Sequence, residues 1–377
     1  MIVAVDARNL YRPRRRGTGK NLLDLYRHLA ALRPTWQFIL YYQHPAADDP
    51  LAGLPNVQPH RIDIPGYRLD LWEKLRLPWA ARCLRADVLH CPANTAPRWP
   101  GAPLLVTIHD LIPLEAASPS PRERRWARNV AAAARSARVI LTPSRYTAEQ
   151  VRRTFGVSAD KVIVNPWAPD TACRRIDDAR VLGEVRRRYD IPADRPYVFG
   201  FGGVDWHKNT AGILSAWTLL GQPVREGHTL VLVGIEGPVR ETFARQAAEL
   251  GIARGCRLNG FVDEADLPAL LSGATALCYP SLREGFGLPI LDAFACGTPV
   301  LTGNATSLPE VAGEAAVLVD ARSPQAIAGA LAELLGDVRR RAELVALGRR
   351  RLEQFTWQAC AARAAEAMER TAGEGRT

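Results

Sequence analysis

Residues 276–301 constrain the fold more than any other stretch, because they read as strand, turn, helix and strand in immediate succession. The apolar run Ala276-Leu277-Cys278-Tyr279 predicts a short buried strand. A turn, Glu284-Gly285-Phe286-Gly287, separates this strand from a helix predicted over residues 288–296. The carboxylate after the strand and the amides at the helix start predict a site for a polar, anionic ligand. The two glycines of the turn would let such a ligand approach the backbone closely.

Strands and helices alternate along the rest of the chain, which predicts open, parallel, doubly wound sheets. The first half has predicted strands at residues 2–5, 38–42, 57–64, 88–91, 104–108, 139–142 and 162–165. A loop is predicted over residues 6–19, and helices are predicted at residues 21–32, 123–137 and 145–153. A proline-containing linker at residues 165–170 ends this set, and further strands are predicted at residues 197–203, 229–234 and 256–262.

Two Rossmann-like α/β domains that face each other across a cleft are therefore expected. The predicted boundaries are residues 1–170 for the N-terminal domain and residues 171–355 for the C-terminal domain. A final helix within residues 356–377 is expected to cross back to the N-terminal domain. The size of the chain, 377 residues with 47% apolar and 23% charged residues, agrees with two globular domains.

The cysteines and the N-terminus indicate a reducing compartment. Seven cysteines without a CxxC spacing predict reduced, buried thiols. The first residues, MIVAVDAR, form a strand pattern at once and do not resemble a secretory signal. No apolar run approaches the roughly 18 residues that a membrane span needs. We expect a cytoplasmic location, with peripheral attachment to the inner face of the cell membrane as a further hypothesis.

The positive charge of the chain lies in its first half. Residues 1–170 hold 25 Lys and Arg against 14 Asp and Glu, whereas the remainder holds 24 against 25. Two interpretations of this charge stay open. The arginines are either dispersed over the surface without a common task, or they attract an anionic partner such as a lipid headgroup layer or a phosphorylated substrate. Nucleic acid fits less well and is not expected as a partner, because no RNP aromatic pattern, helix-turn-helix signal or zinc spacing accompanies the charge.

Four groups of residues follow predicted strands, at the edge where open α/β sheets bind their ligands. They are Gly17-Thr18-Gly19, His109, Glu284, and Gly203 with Lys208. Two facing domains would bring all four into one cleft. The Gly-Thr-Gly-Lys sequence is not a phosphate-binding P-loop, because Asn21 follows Lys20 where Ser or Thr is required.

These residues carry a resemblance to a known family. The block Pro280-Ser281-x-x-Glu284-Gly285-Phe286-Gly287-Leu288-Pro289, continued by Ala295-Cys296-Gly297-Thr298-Pro299-Val300, resembles retaining glycosyltransferases of the GT-B fold. It is most similar to glycosyltransferase family 4, in a mannosyltransferase-like branch. The segments Val106–Leu111, Pro143-Ser144-Arg145 and Lys208-Asn209 are similar to accompanying blocks of the family, so that the resemblance covers nearly the whole chain.

The resemblance implies roles for the C-terminal residues. Glu284 would contact hydroxyls of the transferred sugar, and the amides of Phe286, Gly287 and Leu288 would meet the sugar and the phosphates. Lys208 would supply a positive charge for the diphosphate, with Gly203, Asn209 and Gly285 beside it. The second carboxylate of the family pattern, which holds the ribose, is replaced here by Asp292, one methylene shorter.

The resemblance also implies roles in the first half. Gly17, Thr18 and Gly19 would pack against the diphosphate and the acceptor, and His109 would position the donor sugar as a catalytic residue. Residues Arg14, Arg15, Arg16 and Arg145 are either contacts for an acceptor or a membrane or a solvated basic surface. His207 stands where much of the family has an arginine, which puts that auxiliary cation in doubt.

The expected reaction is the retaining transfer of a hexose, mannose being favoured over glucose or N-acetylglucosamine, from a nucleotide diphosphate sugar such as GDP-mannose. The expected acceptor is a hydroxyl of a lipid-linked or growing polysaccharide. No cofactor or metal is expected, because no Asp-x-Asp lies at a predicted strand end. Glycosylation of a soluble metabolite, a sugar-nucleotide epimerase and a non-catalytic binding subunit are alternatives. Residues 67–79 combine Trp, Leu and cationic side chains. This segment is either a helix that lies at a membrane interface or an ordinary surface helix.

Overall fold

The computed structural model describes residues 1–12, 15, 17–43, 48–63, 71–115 and 120–373. The chain divides into two compact units. The N-terminal unit consists of Met1–Trp167 together with Phe355–Thr377, and the C-terminal unit consists of Ala168–Gln354. Among the described residues, no helix has both the length and the apolar character needed to cross a bilayer.

The described residues of the N-terminal unit contain a parallel sheet of seven strands in the order β3-β2-β1-β4-β5-β6-β7. Its strands are β1 (Ile2–Asp6), β2 (Gln37–Tyr42), β3 (Val57–Arg61), β4 (Val88–Cys91), β5 (Leu104–Thr107), β6 (Val139–Thr142) and β7 (Val162–Val164). The connecting helices are α1 (Gly17–Leu32), α2 (Leu77–Cys83), α3 (Pro121–Ser136) and α4 (Arg145–Phe155). The central strands are buried on both faces, which explains their continuous Val, Ile and Leu runs.

The described residues of the C-terminal unit contain a parallel sheet of six strands in the order β10-β9-β8-β11-β12-β13. Its strands are β8 (Tyr197–Phe201), β9 (Thr229–Val233), β10 (Cys256–Leu258), β11 (Ala276–Tyr279), β12 (Val300–Gly303) and β13 (Ala316–Val319). Its helices are α5 (Ala179–Arg188), α6 (Thr210–Leu219), α7 (Gln222–Gly227), α8 (Pro238–Glu249), α9 (Leu267–Ser272), α10 (Leu288–Ala295), α11 (Leu308–Ala312), α12 (Pro324–Gly336) and α13 (Val338–Leu352).

The last helix, α14 (Trp357–Gly373), belongs to the N-terminal unit and packs beside α1. Its buried face is built largely of alanines, which lets the two helices approach closely. Trp357 stacks on His28 of α1 with ring centroids 6.3 Å apart, and Arg33 forms an ion pair with Glu369 at 3.0 Å. These contacts tie the end of the chain to the first helix of the unit.

The alternating, parallel α/β architecture predicted from the sequence is confirmed in each unit. The predicted loop over residues 6–19 is wrong at its end, because α1 begins at Gly17 and takes Gly17, Thr18 and Gly19 into its first turn. In the sequence these glycines favour a loop, whereas at Gly19 glycine serves close packing, since a Cβ there would lie 2.4 Å from the carbonyl oxygen of Asn9. Helices α7, α9 and α11 and strand β13 were not predicted as separate elements.

Candidate functional site

An ion pair between Lys208 and Glu284 lies at the carboxyl edge of the C-terminal sheet. Lys208 ends a 3-10 turn, Trp206–Lys208, that follows β8, and Glu284 lies in the loop that follows β11. Because β8 and β11 are neighbours in the sheet, their following loops meet at the same edge. The Lys208 Nζ donates to Glu284 Oε1 at 2.9 Å. Two of the sequence-predicted residues are therefore brought into contact.

Two hydroxyl groups complete the environment of this carboxylate. The Tyr279 hydroxyl, at the end of β11, donates a short hydrogen bond to Glu284 Oε1. The Ser281 hydroxyl donates to the same oxygen at 2.8 Å. The ammonium group of Lys208 also donates to the Tyr279 oxygen at 3.2 Å and lies 5.4 Å from the centre of the tyrosine ring. Oε1 is thus the common acceptor of one ammonium and two hydroxyl groups.

The charges of this cluster are fixed by their surroundings. Burial acts to raise the pKa of Glu284, but the charge of Lys208 and the hydrogen bonds from Tyr279 and Ser281 outweigh it, so that the pKa lies below its usual value. Burial acts to lower the pKa of Lys208, and the Glu284 charge reverses this and raises it. Burial and the Glu284 charge raise the pKa of Tyr279. Near neutral pH the cluster therefore holds a carboxylate, an ammonium and a neutral phenol.

The loop that carries Glu284 is anchored on both sides. The His207 carbonyl accepts from the Leu282 amide at 2.7 Å, and the Ser281 hydroxyl oxygen lies 2.7 Å from the same carbonyl. The Glu284 amide donates to Thr306 Oγ1 at 3.2 Å. Ser307 Oγ lies 2.8 Å from the Phe286 carbonyl and 3.0 Å from the Glu284 carbonyl, so that its proton can be donated to either of them. The carboxylate is therefore presented on a braced backbone, which a positioning role requires.

The turn before α10 needs glycine at position 287. Gly287 has a φ of +112°, and a Cβ there would lie 2.9 Å from Leu308 Cδ2. The Phe286 side chain is buried, so that any contact of this residue with a ligand would be made by its backbone. Leu288 is the first residue of α10, whose N-terminus carries the partial positive charge of the helix dipole. This charge adds to that of Lys208 at the same strand edge.

Asn209 and Gly203 hold the turn that carries Lys208. Asn209 adopts a left-handed conformation with φ +58°, and its Nδ2 donates to the carbonyls of Pro280 at 3.1 Å and Ala321 at 2.6 Å. The Gly203 amide donates to Thr210 Oγ1 at 3.1 Å. In this structure the Asn209 side chain therefore joins the turn to the loop after β11. The donor-binding role of Asn209 stays a prediction.

Asp292 lies on α10 and is buried. Its Oδ1 accepts a hydrogen bond from the Asp170 amide at 2.9 Å, within the C-terminal unit. The carboxylate therefore fixes the first residues of this unit against α10. Its predicted contact with a ribose stays a prediction, and the shorter side chain has a structural use that the sequence did not indicate.

In the N-terminal unit, His109 lies two residues after β5 and is held by three neighbours. Its amide donates to Asn94 Oδ1 at 2.6 Å, and its Nε2 lies 2.6 Å from the Pro92 carbonyl. A carbonyl only accepts, so Nε2 carries the proton and Nδ1 of the neutral ring is unprotonated. Trp167 stacks on the ring at 5.6 Å between centroids. Burial lowers the pKa of His109, which favours the neutral form and agrees with a positioning role.

The remaining predicted residues of this unit are only partly described. Arg14 and Arg16 lie outside the described residues, and Arg15 is half-buried beside Gly19. Arg145 is the exposed first residue of α4, whose start is capped by Ser144 through the Thr147 amide. No contact in the structure tests whether these arginines meet an acceptor or a membrane.

Sequence reasoning missed several polar groups at these strand ends. Tyr279 was interpreted only as part of an apolar strand and Ser281 only as part of the family block, and no spacing in the sequence indicated that their hydroxyls meet Glu284. A second cluster lies after β1, where Arg8 donates to Asp6 at 2.9 Å and to Glu73 at 2.8 Å. Among the described residues, no three His, Cys, Asp or Glu side chains are grouped as metal ligands would be.

Comparisons with known proteins agree with this arrangement. Residues 183–351 match the family described as Glycosyl transferases group 1, and residues 15–172 match Glycosyltransferase Family 4. The O-antigen chain mannosyltransferase B of Escherichia coli is 30% identical over 364 residues, which cover 91% of this chain and 93% of that protein.

Solved structures with low sequence identity share the fold. WaaG, a glycosyltransferase involved in lipopolysaccharide biosynthesis, matches with a TM-score of 0.77 at 15% identity, over 97% of this chain and 99% of that chain. HepE of Anabaena, in complex with UDP-glucose, matches with a TM-score of 0.74 at 18% identity, over 97% and 98% of the two chains. The chain therefore has the GT-B fold and belongs to the family 4 glycosyltransferases, among their mannosyltransferase-like members.

Proposed function

We propose that this glycosyltransferase moves a hexose, with mannose favoured, from a nucleotide diphosphate sugar to a hydroxyl of a lipid-linked or growing polysaccharide. The transfer retains the anomeric configuration and needs no metal ion. The observation that carries the proposal is the ion pair between Lys208 and Glu284 at the carboxyl edge of the C-terminal sheet. It combines a cation for phosphates with a carboxylate for sugar hydroxyls in one site.

The donor half of the site explains why a nucleotide diphosphate sugar fits. A departing diphosphate carries developing negative charge, which Lys208 and the N-terminus of α10 would stabilise. Glu284 would accept hydrogen bonds from hydroxyls of the sugar. The match with HepE, whose structure contains UDP-glucose, supports this class of donor. The mannose preference rests on the relative from Escherichia coli.

A front-face route to retention is proposed for a chemical reason. A double displacement needs a carboxylate that attacks the sugar, but Glu284 already accepts hydrogen bonds from Lys208, Tyr279 and Ser281. These donors lower its basicity and therefore its nucleophilicity. The acceptor hydroxyl is then proposed to attack the oxocarbenium-like sugar from the side of the departing diphosphate, whose oxygen takes the proton. The product keeps the configuration of the donor.

The acceptor proposal concerns the N-terminal unit. Leu75 and Trp79 expose 58% and 61% of their surface on the helical segment before β4, whereas Trp72 and Leu77 are buried. Lys74 and Arg76 lie in the same segment. Exposed Trp and Leu beside cations suit the interface of an anionic bilayer, where a lipid-linked acceptor would lie. The name of the Escherichia coli relative also favours a polysaccharide acceptor.

Sedimentation with vesicles tests this surface. The protein is expected to bind vesicles that contain phosphatidylglycerol and to bind pure phosphatidylcholine vesicles weakly. A Leu75→Ser, Trp79→Ser variant should lose most of the binding, whereas the matched exposed pair Leu219→Ser, Val338→Ser of the C-terminal unit should keep it. Equal binding by the two variants would contradict the membrane proposal and favour a soluble acceptor.

Transfer itself is tested with a panel of GDP, UDP, ADP and dTDP sugars and a lipid-diphosphate-linked acceptor. An α-linked product from an α-linked donor, identified by nuclear magnetic resonance, is expected, and an inverted product would refute retention. Glu284→Ala should lower turnover by at least ~100-fold. The exposed Glu249 of α8 provides the matched Glu→Ala control. Activity should survive EDTA, and loss that Mg²⁺ or Mn²⁺ restores would refute metal independence.

A further inference from the structure

In the reaction proposed above, the hydroxyl group of Tyr279 only lowers the basicity of Glu284, yet it lies at the centre of the site. Tyr279 is buried at the end of β11, and Phe201 packs edge-on against its ring at 6.1 Å between centroids. The ring therefore has a fixed orientation. Its hydroxyl donates to Glu284 Oε1 and accepts from Lys208 Nζ at 3.2 Å.

The three donors on Glu284 all meet one of its two oxygens. Lys208, Tyr279 and Ser281 donate to Oε1, and no described residue donates to Oε2. This asymmetry leaves Oε2 as the oxygen that a sugar hydroxyl can approach. A carboxylate bound at one oxygen by fixed donors is also restrained in rotation, so that the second oxygen keeps its direction.

Binding of a diphosphate changes the demands on this network. An ammonium group that also donates to phosphate oxygens is held less strongly by Glu284, because its single positive charge is then shared between two anions. The two hydroxyl donors then remain on Oε1. The phenol is the more firmly held on Oε1, since its ring is packed in the core, whereas the serine hydroxyl can turn instead to the His207 carbonyl, 2.7 Å from its oxygen.

We propose that Tyr279 is a positioning residue of the transferase. Its hydroxyl holds Oε1 of Glu284 after Lys208 has bound the diphosphate, so that only Oε2 contacts the donor sugar. The proposal rests on the proposed function and deepens it. It assigns the sugar contact to one oxygen of one carboxylate, and it separates the residue that orients this carboxylate from the residue that binds phosphate.

The test compares Tyr279→Phe with Tyr197→Phe. Tyr197 is the matched control, because it is also buried in the C-terminal unit and its hydroxyl donates to the Leu270 carbonyl at 2.6 Å, away from the site. In Tyr279→Phe, kcat should fall about tenfold, the scale of one hydrogen bond to a charged group. Affinity for free GDP or UDP should stay within about twofold, because the phosphates contact Lys208.

The pH profile of the reaction distinguishes a positioning role of Tyr279 from a merely structural one. Loss of the phenol removes a hydrogen bond that favours the charged form of Glu284, so its pKa rises and the acidic limb of the rate profile moves to higher pH. Tyr197→Phe should leave kcat and the limb unchanged. An unchanged limb and kcat in Tyr279→Phe would overturn the proposal.

A second measurement does not depend on turnover. The Glu284 carboxyl carbon is followed by nuclear magnetic resonance in protein labelled at glutamate and is assigned by its loss in Glu284→Gln. A higher pKa of Glu284 in Tyr279→Phe supports the proposal, and an unchanged pKa overturns it. This result can be obtained even if the enzyme uses no donor in the panel and the proposed function fails. If Tyr279→Phe does not fold, Ser281→Ala provides the same test, since it removes the other hydroxyl from Oε1 and should also raise the pKa.

Discussion

Replacing Glu284 with glutamine is expected to tighten the binding of a free nucleoside diphosphate while it abolishes sugar transfer. In the structure, the charge of Lys208 is neutralised by Glu284 at 2.9 Å. A diphosphate that binds Lys208 must therefore approach a carboxylate as well as an ammonium. Glutamine keeps the shape of the side chain and an oxygen for the Tyr279 and Ser281 hydroxyls, but it removes the negative charge.

The magnitude follows from the geometry of the pair. Two oxygens that share one tetrahedral ammonium group, each at hydrogen-bond distance, lie about 5 Å apart. Two unit charges at that separation repel by about 0.8 kcal/mol in bulk water and about 3 kcal/mol at an effective dielectric constant of about 20. The side chains of Lys208 and Glu284 are 25% and 12% exposed, so the site lies between these limits. We expect affinity to rise by about 1–3 kcal/mol, or about 5- to 150-fold.

Isothermal titration calorimetry with GDP and UDP measures this effect directly. The gain in Glu284→Gln should shrink at high salt, because a partly exposed charge is screened. Lys208→Met should bind more weakly than the wild type, and the exposed Glu249→Gln should bind equally well. Unchanged or weaker binding of both nucleotides to Glu284→Gln would refute the reasoning, since it would mean that the diphosphate does not share Lys208 with this carboxylate.

Three further predictions concern stability. Gly19→Ala should lower the free energy of unfolding by about 1–3 kcal/mol in urea, because its Cβ has no room, whereas Gly17→Ala should be neutral or slightly stabilising. His90 is buried within β4, and burial lowers its pKa to about 3. As the pH falls from 6.5 toward 3, the unfolded chain binds a proton that the folded protein does not, so this histidine lowers the free energy of unfolding by about 1.4 kcal/mol per pH unit, and His90→Asn should flatten the slope. Asp292→Ala should cost about 1–3 kcal/mol by thermal unfolding, since the Asp170 amide loses its acceptor, and Asp292→Asn should cost less.

The strands that the sequence predicts best are those buried on both faces. The predictions at residues 88–91, 139–142 and 276–279 coincide with β4, β6 and β11. In a parallel sheet such strands are continuous apolar runs that polar turn residues bound sharply. The missed helices α7, α9 and α11 contain only five or six residues. A periodicity of 3.6 residues cannot be recognised in a helix of one or two turns.

The site was only partly predictable because it depends on strand order. Lys208 and Glu284 were both expected at carboxyl ends of strands, but β9 and β10 lie between their strands in the sequence. Only the order β9-β8-β11 in the folded sheet brings the two loops side by side. The phenol of Tyr279 was missed for a related reason, since an aromatic residue in an apolar run predicts burial and gives no sign of a hydroxyl that reaches a carboxylate.

The two glycines at the start of α1, Gly17 and Gly19, are explained by different causes. Gly19 is explained without any ligand, because the Asn9 carbonyl occupies the space of its Cβ. A Cβ added at Gly17 would meet no atom of the described residues within 4 Å, and the φ angle of Gly17 is not in the left-handed region. Neither packing nor backbone conformation within the described chain therefore demands glycine at position 17. Weaker donor binding by a stable Gly17→Ala variant would then identify the ligand as the reason for this glycine, whereas unchanged binding would remove it from the predicted donor site.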